Sequence, residues 1–506
     1  MDKIVRLHMD DNVAIATEPL GMDVVLDSAR NLKTVQFIPV MHKVALRDIA
    51  VGDAIVKYRQ VIGRAAAYIP AGAHVHTHNC IMNTLTTDYD FCTATTATQY
   101  VPLADRRTFQ GYRRQNGKVG TRNYIGILTS VNCSATVARH IADAANRANL
   151  FAPYPNVDGV VALVHGTGCG MRGSGDGYEN LKRVLHGYAN HPNFAGILLV
   201  GLGCEVMQIK DLFGDGLDRS ERVTAFTIQD AGGTRKAVTA GLDALKAMLP
   251  QVNACQRETV LASELTLALQ CGGSDAYSGI TANPALGAAA DLLIEQGGTA
   301  ILSETPELYG AEHLLIRRAT DRSVAEALIE RIRWWERYTK ANGDELNNNP
   351  SPGNKAGGLT TILEKSLGAM AKGGSTNLTG VFRYAEAITR KGLVVMDSPG
   401  FDPASVTGQV ASGANIICFT TGRGSAFGFK PVPSIKLTTN SALYENMSED
   451  MDINCGDIIT GDSDVRSKGA EIFESILAVA SGQLTKSEEL DYGDNEFTPW
   501  QIGSVM

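Results

Sequence analysis

From Gly111 onward, short apolar runs alternate with segments of helical periodicity, and this rhythm restricts the possible folds more than any other feature of the chain. Tyr124–Thr129 is a strand-like run, and the alanine-rich segment Ser134–Asn149 that follows it has the period of a helix. Repeated strand–helix units place successive strands in parallel and cover the sheet with helices on both faces. The rhythm therefore predicts an α/β fold with mostly parallel sheets.

The rhythm forms two series, which are separated near Gln256-Arg257-Glu258. In the first series, the predicted strands are Tyr124–Thr129, Val157–Val164, Ile197–Leu202 and Ala225–Ile228, and the predicted helices are Ser134–Asn149, Tyr178–Ala189 and Thr234–Met248. In the second series, the predicted strands are Leu265–Gln270, Thr299–Leu302, Leu393–Met396 and Ile416–Thr420, and the predicted helices are Ala285–Gln296 and Ser323–Lys340. We therefore predict two α/β domains, over residues 111–253 and 254–506. The turn-rich stretch Asn347–Gly358 reads as a long loop in the second of them.

The first 85 residues lack this rhythm and predict a small, mostly β domain with tight turns. Its apolar stretches are Asn12–Ala16, Thr34–Ile38, Lys43–Ala45, Ala54–Val56 and Val61–Ala66. A threonine-rich stretch from Asn83 to Thr98 follows, which reads either as a linker or as a strand-like crossing segment. We assign residues 1–85 to the β domain and residues 86–110 to a linker.

Composition excludes several classes of protein. With 44% hydrophobic and 20% charged residues, the chain has ample material for buried cores. Its net charge of −8 provides no electrostatic footprint for nucleic acid or an anionic membrane, and no apolar run approaches the roughly 20 residues that span a bilayer. The nine cysteines form no CxxC pair and the N-terminus lacks the apolar core of a signal peptide, so we expect a reducing, cytoplasmic location.

Glycine and polar residues follow the predicted strands at their carboxyl ends, where open α/β sheets bind ligands. These segments are Asn132–Ser134, His165–Gly170, Gly203–Glu205, Cys271–Asp275, Ser303–Thr305, Asp397–Gly400 and Thr421–Gly424. For any one of them, an ordinary turn with a buried cysteine is an alternative. Taken together, they indicate an enzyme. No GxGxxG or GxxxxGK[ST] motif occurs in the required context, which disfavours NAD and ATP.

Two further features point to ligand binding. His74, His76 and His78 alternate, so on a strand they would share one face and suit a divalent transition metal. The alternative is a solvated strand face, or an interface with an acidic partner. Arg423 lies between two glycines and is suited to binding a substrate carboxylate. For Lys365 we favour the simpler interpretation, a charged side chain on the protein surface.

Motifs along nearly the whole chain are similar to those of the altronate/galactarate dehydratase family of sugar-acid hydro-lyases. They are Asp11–Ala14 with His8, His42–Leu46, His74–Asn79, Gly111–Arg114, Gly120–Asn123, Gly201–Glu205, Cys271–Asp275, Ser278–Pro284, Asn349–Lys355 and Thr420–Gly424. The resemblance implies an SAF-type β-clip domain at the N-terminus and a catalytic α/β remainder. It also implies metal-dependent loss of water from a hexonate or hexarate, giving a 2-keto-3-deoxy acid. His74–Asn79 and Ser303–Glu312 are more similar to the altronate branch, which favours D-altronate over galactarate or another sugar acid.

Dehydration of such an acid needs a base for the proton α to the carboxylate, an electrophile for the enediolate and an acid for the leaving hydroxyl. Within the family-like motifs, the candidate metal ligands are His42, His74 and His76. The candidates for proton transfer are Lys43, His165 and Lys355, and the carboxylates of Glu205, Asp275 and Glu304 are candidate ligands or acids. The candidate substrate-binding residues are Ser274, Asn354 and Arg423. For each residue, a structural role in a turn or cap is the alternative.

The expected cofactor is a divalent metal, Fe²⁺ first and Mn²⁺ second. An iron–sulfur cluster held by Cys133, Cys169, Cys204 and Cys271 is an alternative that no close cysteine spacing supports. A lyase with another leaving group, or a non-catalytic protein that binds sugar acids, are the alternative functions. We expect a small-molecule sugar-acid substrate and no nucleic-acid or membrane partner, and the sequence leaves open whether the chain forms a homo-oligomer.

Overall fold

A computed structural model describes residues 3–29, 31–82, 88–214 and 222–505. The predicted domain boundary at residue 85 and the first two residues of the predicted linker lie outside the described residues. None of the helices in the described ranges is both long enough and apolar enough to cross a membrane.

The N-terminal domain consists of short antiparallel strands, as predicted. Its strands are β1 (Ile4–Val5), β2 (Val13–Ala16), β3 (Val25–Asp27), β4 (Leu32–Lys33), β5 (Lys43–Ala45), β6 (Ala54–Lys57), β7 (Gln60–Ala65), β8 (His74–Val75) and β9 (Cys80–Ile81). They form sheets in the orders β1-β2-β5-β8, β6-β7-β9 and β3-β4. The apolar stretch Thr34–Ile38 does not form a strand, and only Ile38 forms an isolated bridge, to Leu20. The Thr34 hydroxyl instead bonds to the backbone of Gly21 and Val24, an alternative to a strand ladder.

The second domain is built on a four-stranded parallel sheet. Its elements are β10 (Thr108–Arg113), β11 (Val119–Gly120), β12 (Tyr124–Thr129), α1 (Ala135–Arg147), β13 (Gly159–Leu163), α2 (Asp176–Ala189), β14 (Phe194–Gly201), α3 (Ile209–Gly214), β15 (Val223–Thr227), α4 (Thr234–Ala254) and β16 (Glu258–Leu261). The parallel order is β13-β12-β14-β15. The chain runs from β12 to β13 on one side and then crosses to β14 on the other. The strand order therefore reverses between β12 and β14, which opens a crevice at their carboxyl ends.

An antiparallel sheet that the sequence analysis did not predict joins the two ends of this domain. In it, β10 lies between β11 and β16, and Thr108 pairs with Leu261. Strand β10 begins inside the segment assigned to the linker. Strand β11 follows β10 through a short hairpin, whereas β16 lies about 150 residues further along the chain, so no local pattern indicates the pairing with β16.

The third domain carries a seven-stranded parallel sheet. Its strands are β17 (Thr266–Cys271), β18 (Thr299–Leu302), β19 (Leu378–Phe382), β20 (Gly392–Met396), β21 (Ile416–Thr421), β22 (Ser434–Thr438) and β23 (Ile453–Asn454). Its helices are α5 (Ala282–Glu295), α6 (Glu312–Ile316), α7 (Arg322–Ala341), α8 (Pro352–Ala356), α9 (Ile362–Met370), α10 (Asp402–Ala411), α11 (Ser441–Asn446), α12 (Asp457–Thr460), α13 (Val465–Ala480) and α14 (Lys486–Glu489). The order is β19-β20-β18-β17-β21-β22-β23, so it reverses between β17 and β21. The predicted fold class, a small β domain followed by two α/β domains, is confirmed.

Strand β17 shows why these runs are apolar throughout. Leu267 and Leu269 pack in one hydrophobic core, and Ala268 packs in a second core on the opposite face of the sheet. A strand that is buried on both faces has no solvated position, so its sequence does not alternate.

The stretch Asn347–Gly358, predicted as a loop, contains helix α8. The Ser351 hydroxyl accepts a hydrogen bond from Asn354 N, and the Asn354 side chain accepts one from Ser351 N. Pro352 occupies the first turn, where its missing N–H is not needed. This reciprocal cap stabilises a single helical turn within a glycine- and proline-rich segment.

Candidate active site

The loops after β17 and β21 cross at the point where the strand order of the third domain reverses. The backbone N–H groups of Gly422 and Arg423 donate to the carbonyl oxygen of Gly273 over 3.1 and 2.9 Å. Gly273 has a φ of 63°, which suits a glycine. At Gly422, a Cβ would lie 2.2 Å from Cγ of Asp275. The crossing therefore brings the two loops into direct contact.

Asp275, a predicted catalytic residue, is fully buried beneath this crossing. Its Oδ1 accepts from the N–H groups of Tyr277 and Ser278, and its Oδ2 accepts from Thr439 Oγ1 over 2.8 Å. Burial raises the pKa of Asp275, while these hydrogen bonds act in the opposite direction. Both oxygens are occupied, and the carboxylate holds the loop in place.

Helix α8 packs against the same crossing. Asn354 Nδ2 donates to the Ser274 carbonyl oxygen over 2.8 Å. A Cβ on Gly357 would lie 3.3 Å from Cδ of Arg423, which is exposed at the mouth of the crevice. The structure thus brings together the four predicted residues Ser274, Asn354, Lys355 and Arg423.

The N-terminal domain contributes a cluster of imidazole rings. The ring centroids of His42, His74 and His76 lie 4.7 to 5.4 Å apart, and that of His78 lies 5.3 Å from His74. The prediction that one strand aligns the three alternating histidines is wrong, because β8 ends at Val75. A turn gathers the rings instead.

Two of these histidines bond to helix α8 of the third domain. His42 Nε2 donates to the Ala356 carbonyl oxygen over 3.2 Å, and His76 Nε2 donates to that of Lys355 over 2.8 Å. The Nδ1 atoms of both rings then carry lone pairs, and His42 Nδ1 lies 2.9 Å from His74 Nε2. The histidines and α8 therefore border one site between the two domains.

The imidazoles are held in the neutral form that binds metals. Burial lowers the pKa of His74 to about 3, with the neighbouring imidazoles as the next cause. It also lowers the pKa of His76 to about 4 and lowers that of His42. Metal-binding histidines usually donate their second N–H to a carbonyl or carboxylate, as His42 and His76 do here. The chemistry of this donor set fits a divalent transition metal. Within the described residues, however, the group whose ligand atoms all lie within 4.8 Å of one another is Cys271, Glu304 and Glu307, and the three histidines are not drawn together to that extent.

Lys43, predicted for proton transfer, is enclosed next to this cluster. Its Nζ lies 2.8 Å from Glu364 Oε2 and 2.6 Å from the Gly358 carbonyl oxygen, and Lys57 Nζ lies 3.0 Å from Glu364 Oε1. Burial opposes ionisation of Glu364, but the two lysines overcome it and lower its pKa to about 2. Burial also lowers the pKa of Lys43. No local pattern in the sequence marks Glu364 or Lys57 as site residues, because their pairing depends on contact between two domains.

Glu304 belongs to a second buried cluster, under the loop that follows β17. Its Oε2 lies 3.3 Å from Lys372 Nζ, which is 2.6 Å from Cys271 Sγ. Burial, reinforced by the neighbouring Glu307, raises the pKa of Glu304 to about 8. Lys365 pairs with Glu307 over 2.8 Å, so its interpretation as surface charge is wrong.

Asp402 links this second cluster to the crevice. A Cβ on Gly272 would lie 2.4 Å from Asp402 Oδ2. Burial and Glu307 raise the pKa of Asp402 to about 7. No sequence motif marked Lys372 or Asp402. Glu307 lies within the family-like stretch Ser303–Glu312 but was not proposed as a site residue.

His165 and Glu205 lie in the second domain. His165 Nε2 donates to the Thr129 carbonyl oxygen over 2.8 Å, and burial lowers its pKa to about 4. Glu205 accepts from Ser130 Oγ and Gly203 N, each over 2.6 Å. The structure therefore places these two residues at the carboxyl edge of the four-stranded sheet, among contacts of the second domain.

The fold and the crevice define an α/β enzyme that positions neutral imidazoles and an exposed arginine around a small site. Three family profiles match the chain: the Altronate/galactarate dehydratase SAF domain at residues 2–83, the D-galactarate dehydratase/Altronate hydrolase second domain at residues 111–253, and the D-galactarate/Altronate dehydratase C-terminal domain at residues 262–505.

Characterised relatives extend over most of the chain. Altronate dehydratase from Bacillus subtilis (strain 168) is 36% identical over 499 residues, which cover 97% of this chain and 98% of that protein. Galactarate dehydratase (L-threo-forming) from Escherichia coli (strain K12) is 38% identical over 490 residues, or 95% and 93% of the two chains. The beta subunit of (2R)-sulfolactate sulfo-lyase from Chromohalobacter salexigens is 33% identical over 399 residues, or 77% and 96%. The chain belongs to the galactarate/altronate dehydratase family, as the sequence motifs predicted.

Proposed function

We propose that this protein removes water from a sugar acid, D-altronate in preference, to give a 2-keto-3-deoxy acid. The observation that carries the proposal is that helix α8 joins two sets of candidate residues. One side of it accepts hydrogen bonds from His42 and His76 of the SAF domain, and the other packs on Ser274 and Arg423. This arrangement supports one active site between the SAF domain and the third domain.

The proposal includes a divalent metal, Fe²⁺ first and Mn²⁺ second, held by His42, His74 and His76. Their neutral rings and carbonyl-bonded N–H groups support this assignment. When bound, the ion would supply positive charge to the substrate carboxylate and the enediolate.

In this proposal, the chain's own residues orient the substrate. The exposed guanidinium of Arg423 holds a carboxylate or the distal hydroxyls, since arginine presents a planar fork of donors. Asn354 and Ser274 border the same crevice and shape it. The Asp275 carboxylate keeps the loop after β17 in position by accepting hydrogen bonds from four residues, Tyr277, Ser278, Thr439 and Asn440.

Among the candidates for proton transfer, we propose Lys355 as the base. It is half-buried beside the histidines and forms no ion pair within the described ranges, whereas Lys43 is enclosed with Glu364. We propose that Lys43 positions the SAF domain and that Glu304, with its raised pKa, is a source of protons beneath the crevice. His165 and Glu205 brace loops of the second domain.

A second candidate function keeps the α-proton chemistry and changes the leaving group. The similarity to a sulfolactate sulfo-lyase subunit over 77% of this chain favours it as the alternative. The galactarate dehydratase relative makes galactarate the first alternative substrate for water loss.

The test is anaerobic turnover of D-altronate, galactarate and (2R)-sulfolactate by the full chain, with Fe²⁺, Mn²⁺ or a chelator. We expect metal-dependent formation of the 2-keto-3-deoxy product from altronate. His76→Ala removes one proposed metal ligand and should lower kcat/KM by about 100-fold, the upper end of the loss seen when partners of a metal ligand are removed, while the exposed control His140→Ala keeps full activity. Turnover of sulfolactate alone, or full activity in chelator, would contradict the proposal.

A further inference from the structure

Three cysteines of the second domain are unusually exposed. Cysteine is among the residue types that are most often buried, and the other six cysteines here are buried or half-buried. Cys133, Cys169 and Cys204 are the exposed ones, and each lies in a loop that follows β12, β13 or β14. Since these three strands are neighbours in one parallel sheet, the exposed thiols share one edge of it.

Backbone hydrogen bonds tie the three loops together. Asn132 N, next to Cys133, donates to the Thr167 carbonyl oxygen over 2.9 Å. Val206 N donates over 3.0 Å to the carbonyl oxygen of Gly168, which precedes Cys169. Each cysteine is therefore within two residues of a contact between the loops, at the crevice where the strand order reverses.

The loops after β12 and β13 approach each other closely. Gly168 has a φ of 98°, and a Cβ there would lie 2.2 Å from the Ser130 carbonyl oxygen. The Glu205 carboxylate bridges Ser130 Oγ and Gly203 N. Within the described part of the chain, the three thiols accept and donate no hydrogen bond, although their loops are braced on both sides.

We propose that Cys133, Cys169 and Cys204 ligate an iron–sulfur cluster. Soft thiolates select iron–sulfur clusters over hard cations. Three protein thiolates leave one iron of a four-iron cluster open to an oxygen ligand, such as a hydroxyl or carboxylate of a small acid. A cavity of about 380 Å³ lies beside this edge. Asn132, the neighbour of Cys133, lines it together with Arg139 and His165, whereas the three cysteines themselves are not among its lining residues.

The structure removes Cys271 from the four-cysteine set considered in the sequence analysis. Cys271 is buried in the third domain with its Sγ 2.6 Å from Lys372 Nζ. The three-thiol site is also separate in sequence and domain from the histidines of the SAF domain. Its assignment therefore stands independently of the proposed dehydration.

The test is reconstitution of the anaerobically purified full chain with Fe³⁺, sulfide and dithiothreitol, which reduces part of the iron to Fe²⁺, followed by assay of bound iron, acid-labile sulfide and visible absorbance. We expect about four iron and four sulfide per chain, as in a four-iron cluster. Cys133→Ser, Cys169→Ser and Cys204→Ser should each lose most of the cluster. The half-buried controls Cys92→Ser and Cys255→Ser should retain it, as should His42→Ala, which separates this proposal from the histidine metal site.

Two results would overturn the proposal. One is that the wild-type protein holds no more iron and sulfide than the triple Cys→Ser variant, provided that the two proteins have the same unfolding midpoint. The other is binding of Zn²⁺ or Fe²⁺ by these thiols without sulfide. As an independent readout, the cluster should protect all three cysteines from alkylation, measured by mass spectrometry of reconstituted and apo protein.

Discussion

Glu364 Oε2 lies 2.8 Å from Lys43 Nζ and joins the third domain to the SAF domain through a fully buried ion cluster. Lys57 pairs with the other oxygen of the same carboxylate over 3.0 Å. One carboxylate therefore pairs with two lysine side chains at the boundary on which the proposed site depends.

Glu364→Gln should destabilise this boundary strongly. It leaves two buried ammonium groups without a counter-charge, and loss of one partner of a buried pair costs about 3–5 kcal/mol. Denaturant unfolding of the full chain measures the change. Glu330→Gln, which removes an exposed pair with Arg337, should change stability by less than about 1 kcal/mol. Equal midpoints for the two variants would show that the buried cluster contributes little.

Arg423→Lys should weaken substrate binding more than turnover. Lysine keeps the charge but loses the planar fork, so we expect KM for the sugar acid to rise at least about tenfold, or about 1.4 kcal/mol. Steady-state kinetics gives KM and kcat separately. Arg337→Lys, on the exposed face of α7, is the matched control. An unchanged KM would exclude Arg423 from substrate binding.

Gly422→Ala should disrupt the crossing of the two crevice loops. The new Cβ would lie 2.2 to 2.6 Å from the Asp275 carboxyl atoms, so one loop must move. Overpacking of this kind costs about 1–3 kcal/mol, and we expect a larger loss in kcat/KM than in the unfolding midpoint. Gly21→Ala, where a Cβ meets open space, should change neither quantity. Full activity of Gly422→Ala would contradict the tight contact.

The buried imidazole of His191 should lower the free energy of unfolding at acidic pH. Its Nε2 donates to the Ala414 carbonyl oxygen of the third domain, and burial lowers its pKa to about 3, with Lys118, Arg114 and Arg222 adding to the effect. Below about pH 6.5, His191 binds a proton in the unfolded chain, whereas the buried His191 of the folded chain stays neutral until the pH is much lower. Stability should therefore fall as pH decreases from about 6.5 towards about 3, by up to about 1.4 kcal/mol per pH unit.

The measurement is the unfolding midpoint as a function of pH for wild type and His191→Gln. The variant should show a shallower fall in this window, because it removes the titrating group. The exposed control His140→Gln should follow the wild-type profile. Parallel profiles for wild type and His191→Gln would show that this imidazole is not the source of the pH dependence.

Much of the fold could be predicted because its signals are local. Tyr124–Thr129 and Thr299–Leu302 have the predicted bounds in the structure, since a strand that is buried on both faces appears as an uninterrupted apolar run. The apolar stretch Thr34–Ile38 is not a strand, and the Thr34 hydroxyl bonds to the backbone of Gly21 and Val24 instead. The pairing of β10 with β16 joins residues about 150 positions apart, which no local pattern encodes.

The sequence alone determined the fold class, the family and most residues that border the crevice, because apolar periodicity and motifs are properties of short segments. The tertiary structure decided which of those residues meet. In the folded protein, His42 and His76 donate hydrogen bonds to helix α8, and Lys43 is buried in an ion pair with Glu364. His165 and Glu205 make their contacts within the second domain. The physical reason is that the order of strands in a sheet and the docking of domains depend on contacts between distant segments, and burial at those contacts sets which groups are charged.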